Sequence, residues 1–276
     1  MVTTAPSRQS ATPTNRRRKA MRARRWLPSP AILRVVVVIV AILGLEVLTR
    51  LEAISSLILS PPSEILLGMV DVLPTAQFGS DLARTGLTVA MSSAAGCVIG
   101  VLLGTFGWRL PFVWKVLEPY LIALYAMPIV VFYPILMVVF GITIWPPVLI
   151  ATFAAVVPAA VSTCIALRAV PQALLNLGRS LNCSRLRMTR SIIVPSALPL
   201  AIPGVRLSCI YAVIATIAME FIQSDSGLGF RAGEAYRQFR VTDMWSMIVV
   251  VAVLAMAVSW ALSRAERRVR RDTVTS

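Results

Sequence analysis

Residues 170–199 read VPQALLNLGRSLNCSRLRMTRSIIVPSALP. This polar stretch separates two apolar runs, 147–167 and 198–221, each long enough to cross a bilayer. Within it Ala173, Leu174, Leu177 and Leu181 recur on one side of a short helix over 173–181. Asn182 interrupts that helix. Ser184 is a good N-cap for a second short helix running to Ile193. Pro195 is expected to end the second helix, and Pro199 to admit the next apolar run. Arg168, Arg179, Arg185, Arg187 and Arg190 stay exposed. The pattern predicts a helix-turn-helix lying against the membrane face and shaped to meet a soluble partner.

Outward from this loop the chain is apolar. Hydrophobic residues make up 57 % and charged residues 14 %, with a mean hydropathy of +0.79. A soluble domain carries more charge and shorter apolar runs. Runs at 31–48, 82–106, 116–140, 147–167, 198–221 and 244–262 predict an all-α polytopic membrane protein with six transmembrane helices. Residues 1–30 form a basic tail expected to be disordered. Residues 31–81 hold the first span and an outer amphipathic helix. There Pro62 and Ser63 lead into Ile65, Leu66, Met69, Val70 and Leu73. Residues 82–263 form the core, with the loop at 168–196, and 264–276 form a second basic tail. The basic segment before 32–48 has the order of a signal peptide. The apolar run is long, though, and no A-x-A site follows, so it reads as a retained helix.

Charge sets the orientation. With both termini in the cytoplasm, the basic tails, Arg109, Lys115 and the five loop arginines all lie inside. Only Arg50, Arg84, Arg231, Arg237 and Arg240 fall outside. The acidic residues Glu52, Glu64, Asp71, Asp81, Asp225, Glu234 and Asp243 also fall outside, and an odd number of spans spoils the separation. Arg34 and Arg206 lie near cytoplasmic helix ends, where they can snorkel. The net charge of +15 therefore follows membrane topology and contact with lipid headgroups, not nucleic acid.

Several chemistries lack their residues. The chain has no histidine, and Cys97, Cys164, Cys183 and Cys209 form no C-x-x-C pair, so neither a metal site nor a disulfide framework is expected. No cofactor is expected either. A P-loop needs a lysine after a glycine-rich turn. Lys19 follows an arginine run and Lys115 follows Pro-Phe-Val-Trp, so any ATP hydrolysis belongs to another subunit. Glu46, Glu118 and Glu220 are the acidic residues within the spans, all near helix ends, which disfavours a proton relay. Pro128 and Pro134 should kink or break the third span, and Pro158 lies in the fourth. With Glu220, Pro128 and Pro134 are candidates for a translocation path. Ser92, Gly96, Gly100 and Gly104 share one helix face and allow close backbone approach, either within the chain or between subunits.

The loop resembles the EAA loop of binding-protein-dependent ABC importer permeases, whose pattern is E-A-A-x-x-x-G followed by a short helix closed by proline. Asn176 stands at the Glu position, Leu177 and Gly178 at the alanines, Asn182 at the glycine and Pro195 at the closing proline. Arg179-Ser180-Leu181, Ser184-Arg185, Val194-Pro195 and Ala197-Leu198-Pro199 match more closely. So do Pro203-Gly204-Val205-Arg206, Met219-Glu220 and Ser226-Gly227-Leu228-Gly229 downstream. Met127-Pro128, Pro134-Ile135, Phe140-Gly141-Ile142 and residues 59–63 match upstream. The resemblance covers about 200 residues in order. It is greatest to the branch serving nitrate, sulfonate, taurine and related solutes.

This resemblance implies an inner-membrane permease that two cytosolic ABC ATPase subunits drive, with a second permease copy beside it. An extracytoplasmic solute-binding protein delivers the solute. The implied coupling residues are Ala173, Asn176, Leu177, Gly178, Leu181, Asn182, Ser184, Arg185, Arg187 and Pro195. Asn176 lacks the family's negative charge, whereas Asn182 can keep the left-handed turn that glycine provides. A stand-alone secondary transporter or channel is the alternative. It requires transport without ATP and no partner on the loop.

Overall fold

The computed structural model describes residues 30–275, and among them every regular element is helical. The expected disorder of the basic tail falls outside the described residues, apart from Pro30. The chain divides into a unit ending at Ile54 and a unit from Ser55 onward. The first unit contains α1, Pro30–Arg50. Its 21 residues span about 31 Å, enough to cross a hydrocarbon core of about 30 Å. Its Val, Ile and Leu side chains are exposed along nearly the whole length, as a lipid-facing helix requires.

The second unit begins with α2, Pro62–Val72, which starts on a proline whose missing N–H costs nothing there. Next come α3, Ala76–Arg109, and α4, Pro111–Ala126. A 3-10 turn at Ile129–Phe132 leads into α5, Tyr133–Phe140. The chain continues through α6, Trp145–Arg168, and α7, Gln172–Ser180. The short helix α8, Arg185–Met188, runs through a π turn at Thr189–Ile193 into α9, Val194–Gln223. The last two helices are α10, Leu228–Arg237, and α11, Val241–Thr275. Among the described residues, five helices are long and apolar enough to span a membrane. They become six if α4 and the Ile129–Phe140 segment, bent by 83°, form one broken span.

The core is a stack of three helices. Helix α6 is buried along most of its length between α3 and α9. On α3, Ser92, Gly96, Gly100 and Gly104 are buried, spaced four residues apart. A Cβ on Gly100 would lie 2.5 Å from Ala159 Cβ and 2.6 Å from the Val156 carbonyl oxygen. A Cβ on Gly104 would lie 2.8 Å from Thr163 Cβ. This face therefore packs within the chain. On the other side, Ser208 of α9 donates to the Ala155 carbonyl, and Gly204 meets Ser162. Helices that close can be held by dispersion, which matters in lipid because little hydrophobic driving force remains there.

The prolines act differently from the expectation at two positions, Pro134 and Pro195. Pro128 does sit at the break between α4 and the 3-10 turn. Pro134 does not kink a span, because it lies in the first turn of α5, where no helical hydrogen bond is lost. Pro195 does not end a helix. The π turn before it carries the chain onward, because the wider turn accommodates a residue without an N–H. Pro158 lies inside α6, which continues through it. Helix α2 is present, but its packed side is Ile65, Met69 and Val72, with Leu66 and Val70 exposed. The segment expected to be merely polar after the fifth span contains α10. The C-terminal tail extends the last span as a single helix through Thr275.

Gly100→Leu is expected to destabilise the α3–α6 contact by about 1–3 kcal/mol or more, through overpacking. Val98→Leu, at a position 59 % exposed, should be silent. Thermal unfolding of the detergent-purified protein, followed by size-exclusion chromatography, separates the two.

Candidate coupling hairpin and buried latch

The hairpin joins the end of α6 to the start of α9. Arg168 closes α6 and donates to the Gly107 carbonyl at 3.2 Å, tying the base of the hairpin to the end of α3. Beneath it Ala166, Leu167, Val170, Ile193 and Ala197 form a small core, with Leu175 and Met188 packed on it. Gly178 is buried against the second helix. A Cβ there would come 2.7 Å from Ile192 Cδ1 and 3.1 Å from Met188 Cε.

The turn is defined by hydrogen bonds. Cys183 N–H donates to Gly178 O at 3.0 Å, and Asn182 N–H donates to Arg179 O at 3.0 Å. Together these are the two bonds of a Schellman motif. Asn182 occupies its left-handed position with φ +50°, so the asparagine keeps the geometry normally given to glycine. Ser184 then caps α8, its side chain accepting from Arg187 N–H at 3.4 Å. Arg179 donates to the Asn176 side-chain oxygen at 3.4 Å, a weak contact from a charged donor to a neutral acceptor.

The apolar side of α7 is divided. Leu175 and Gly178 face the core, whereas Leu177 and Leu181 are 54 % and 66 % exposed, and Leu186 of α8 is 78 % exposed. Ala173, Asn176, Asn182, Ser184, Arg185, Arg187 and Pro195 are exposed as well. The hairpin thus presents leucines and arginines together on helices too short to span a membrane.

The other end of the stack holds a constellation that sequence reasoning divided into fragments. Helix α10 starts at Gly227, φ +109°, with no side chain of its own as cap. Its first amides are bound by other helices. Gly227 N–H donates to Asp81 Oδ1 at 3.1 Å, Leu228 N–H to Thr85 Oγ1 at 2.9 Å, and Gly229 N–H to Glu220 Oε2 at 3.1 Å. Thr85 also donates to Glu220 Oε2 at 2.7 Å. Arg231 pairs with Asp81 and donates to Gln77 Oε1 at 3.1 Å. A helix N-terminus attracts anionic groups through its unsatisfied N–H donors and its dipole. Glu220, 2 % exposed, is therefore buried with two donors.

The candidate path residues separate in the structure. Pro128 and Pro134 lie on an exposed surface at the span break, whereas Glu220 is enclosed in the latch. The sequence holds the pieces of the latch, Asp81 and Thr85 at i, i+4, the Met219-Glu220 pair and the glycines at 227 and 229, but nothing local joins them. Three of the arginines expected on the outer side are also engaged. Arg231 binds Asp81, Arg240 meets Asp243 at 2.8 Å, and Arg237 lies over the Phe230 ring at 5.7 Å.

Comparison with known proteins places this architecture. A family profile described as binding-protein-dependent transport system inner membrane component matches residues 96–271. The chain belongs to that family, and it is a permease of the ABC importer type. It is 27 % identical over 228 residues to the taurine transport system permease protein TauC of Escherichia coli (strain K12), covering 79 % of this chain and 81 % of that one. It is 24 % identical to the formylaminopyrimidine transport permease protein ThiX of Halalkalibacterium halodurans, covering 76 % and 83 %. It is 25 % identical to the nitrate import permease protein NrtB of Synechococcus elongatus, covering 56 % and 54 %. Among solved structures, an inward-facing MetNI methionine ABC transporter matches with a TM-score of 0.62 at 19 % identity, covering 70 % of this chain and 96 % of that chain. An amino acid ABC transporter matches with a TM-score of 0.60 at 19 % identity, covering 73 % and 97 %. These structures share the fold.

Asn182→Ile should lower hairpin stability by about 1–2 kcal/mol, because a β-branched side chain resists the left-handed conformation. Asn182→Gly should leave it unchanged. Amide exchange across residues 172–193 reads the difference.

Proposed function

We propose that this permease imports a small polar solute and that the hairpin of α7 and α8 is where a separate cytosolic ATPase drives it. The observation that carries the reading is the exposed trio Leu177, Leu181 and Leu186, flanked by Arg179, Arg185 and Arg187. Apolar side chains grouped on a polar, non-spanning hairpin mark a protein contact. Two ATPase subunits each grip one hairpin, and two copies of this chain, or a close pair, enclose the path. Both termini lie in the cytoplasm, with the latch on the opposite face. The asparagine at 176 meets the ATPase through hydrogen bonds in place of an ion pair.

An extracytoplasmic binding protein delivers the solute. Sulfonates, taurine and nitrate are the first class to test, because relatives carrying those names match over much of the chain. The pyrimidine relative adds a second class. Selectivity resides mainly in the binding protein. The outer arginines already have partners within the chain, so they offer no ready anion site here. ATP hydrolysis belongs to the partner subunit, consistent with the absence of a lysine at a glycine-rich turn.

Leu177→Asp and Leu181→Asp are the direct test. Each puts a charge into the contact without touching the buried hairpin core. Co-purification of the ATPase with the tagged permease should fall by at least about tenfold, the equivalent of about 1.4 kcal/mol. Undiminished association, with undiminished permease-dependent ATP hydrolysis, would sink the assignment.

A further inference from the structure

We propose that Thr85 and Glu220 are positioning residues that make outer helix α10 follow the movement of α9, and so carry the cytosolic stroke to the outer face. This inference rests on the coupling role proposed for the hairpin. No residue between Arg185 and Gln223 leaves the helical path, because α8, the π turn and α9 join without a break. The second helix of the hairpin is therefore the inner end of the same rod that carries Glu220 in its last turn.

The connection at the outer end is specific. Helix α10 has Asp225 and Ser226 just before its start, both residue types suited to capping. Neither caps it. Its first three amides are held instead by Asp81 and Thr85 from α3 and Glu220 from α9. Thr85 is central. Its hydroxyl accepts from Leu228 N–H and donates to Glu220, so one side chain links α3, α9 and α10. The fit is tight, since a Cβ on Gly227 would lie 2.5 Å from the Glu220 carboxyl carbon. A Cβ on Gly229 would lie 2.5 Å from the Ile217 carbonyl oxygen of α9. From there α10 packs on α11 through Leu228, Ala232, Met247 and Val250. A displacement of α9 along or about its axis must carry the start of α10 with it or break buried hydrogen bonds, each costly to leave unmade.

The test uses the full-length permease bound to its ATPase in nanodiscs, with hydrogen exchange compared before and after trapping with ATP and orthovanadate. In the unmodified complex, trapping should shift exchange in both the hairpin, 172–193, and α10, 228–237. Thr85→Val removes the hydroxyl at constant shape, so the hairpin should still respond while the α10 response is lost. Thr85→Ser should restore it, a rescue that a merely structural packing role does not predict. If Thr85→Val does not assemble, Glu220→Gln and Asp81→Asn, assayed separately, carry the same comparison. An α10 response in the unmodified complex that survives all three changes overturns the proposal. So does a hairpin response with no α10 response in that complex. A hairpin that itself fails to respond contradicts the coupling assignment instead, and the two failures are thereby distinguished.

Discussion

Close approach of α6 to both neighbours is the constraint on which the rest of the structure depends. A helix at the centre of a membrane bundle gains little from hydrophobicity, because lipid is as apolar as its neighbours. What holds α6 is contact: Gly96, Gly100 and Gly104 on one side, and Gly204 and Ser208 on the other. No side chain larger than Ala, Ser or Thr is needed from α6 where those residues meet it. The stack fixes the relative placement of α3, α6 and α9, and both functional ends follow from it. At one end α6 passes into the hairpin. At the other, α3 and α9 present the three side chains that hold α10.

The two ends use different physics. The hairpin is held by a small apolar core and a backbone turn, and it leaves leucines uncovered. The latch is polar and buried, and it exists only because each group has a partner. A carboxylate buried among apolar helices is costly unless hydrogen bonded, and Glu220 accepts from a hydroxyl and an amide. One end is therefore built to be recognised and the other to be held. The helical path from Arg185 to Gln223 joins them.

The spans, the hairpin and the glycine face were legible in the sequence because each rests on a local period. Apolar runs of membrane length, a leucine spacing, Asn182 followed by Ser184, and small residues every fourth position need no tertiary knowledge. Pro195 misled because a proline normally ends a helix, and the π turn that absorbs it leaves no compositional trace. The packed side of α7 was not legible for a related reason. Leu174, Leu177 and Leu181 form the more regular stripe, but Gly178, with no hydrophobic signal, is what faces the second helix. Helix α10 was hidden by its polar composition and glycines. The latch was hidden because its parts, residues 81–85, 220 and 227–231, come from three helices. The chemistry of Glu220 alone makes it a candidate path residue, and its buried partners become visible only in the folded chain.

The claim that the hairpin faces the cytosol and meets the motor there supports everything assigned to both ends. Cys183 is a native reporter for it, lying partly exposed within the hairpin turn, while Cys97, Cys164 and Cys209 lie in spanning helices. The measurement is labelling of Cys183 by a membrane-impermeant maleimide, in intact spheroplasts and in inverted vesicles stripped of the ATPase, with Cys183→Ser as the blank. Labelling confined to inverted vesicles is the result expected. Labelling of Cys183 in intact spheroplasts would reverse the topology and remove the hairpin from the motor's reach.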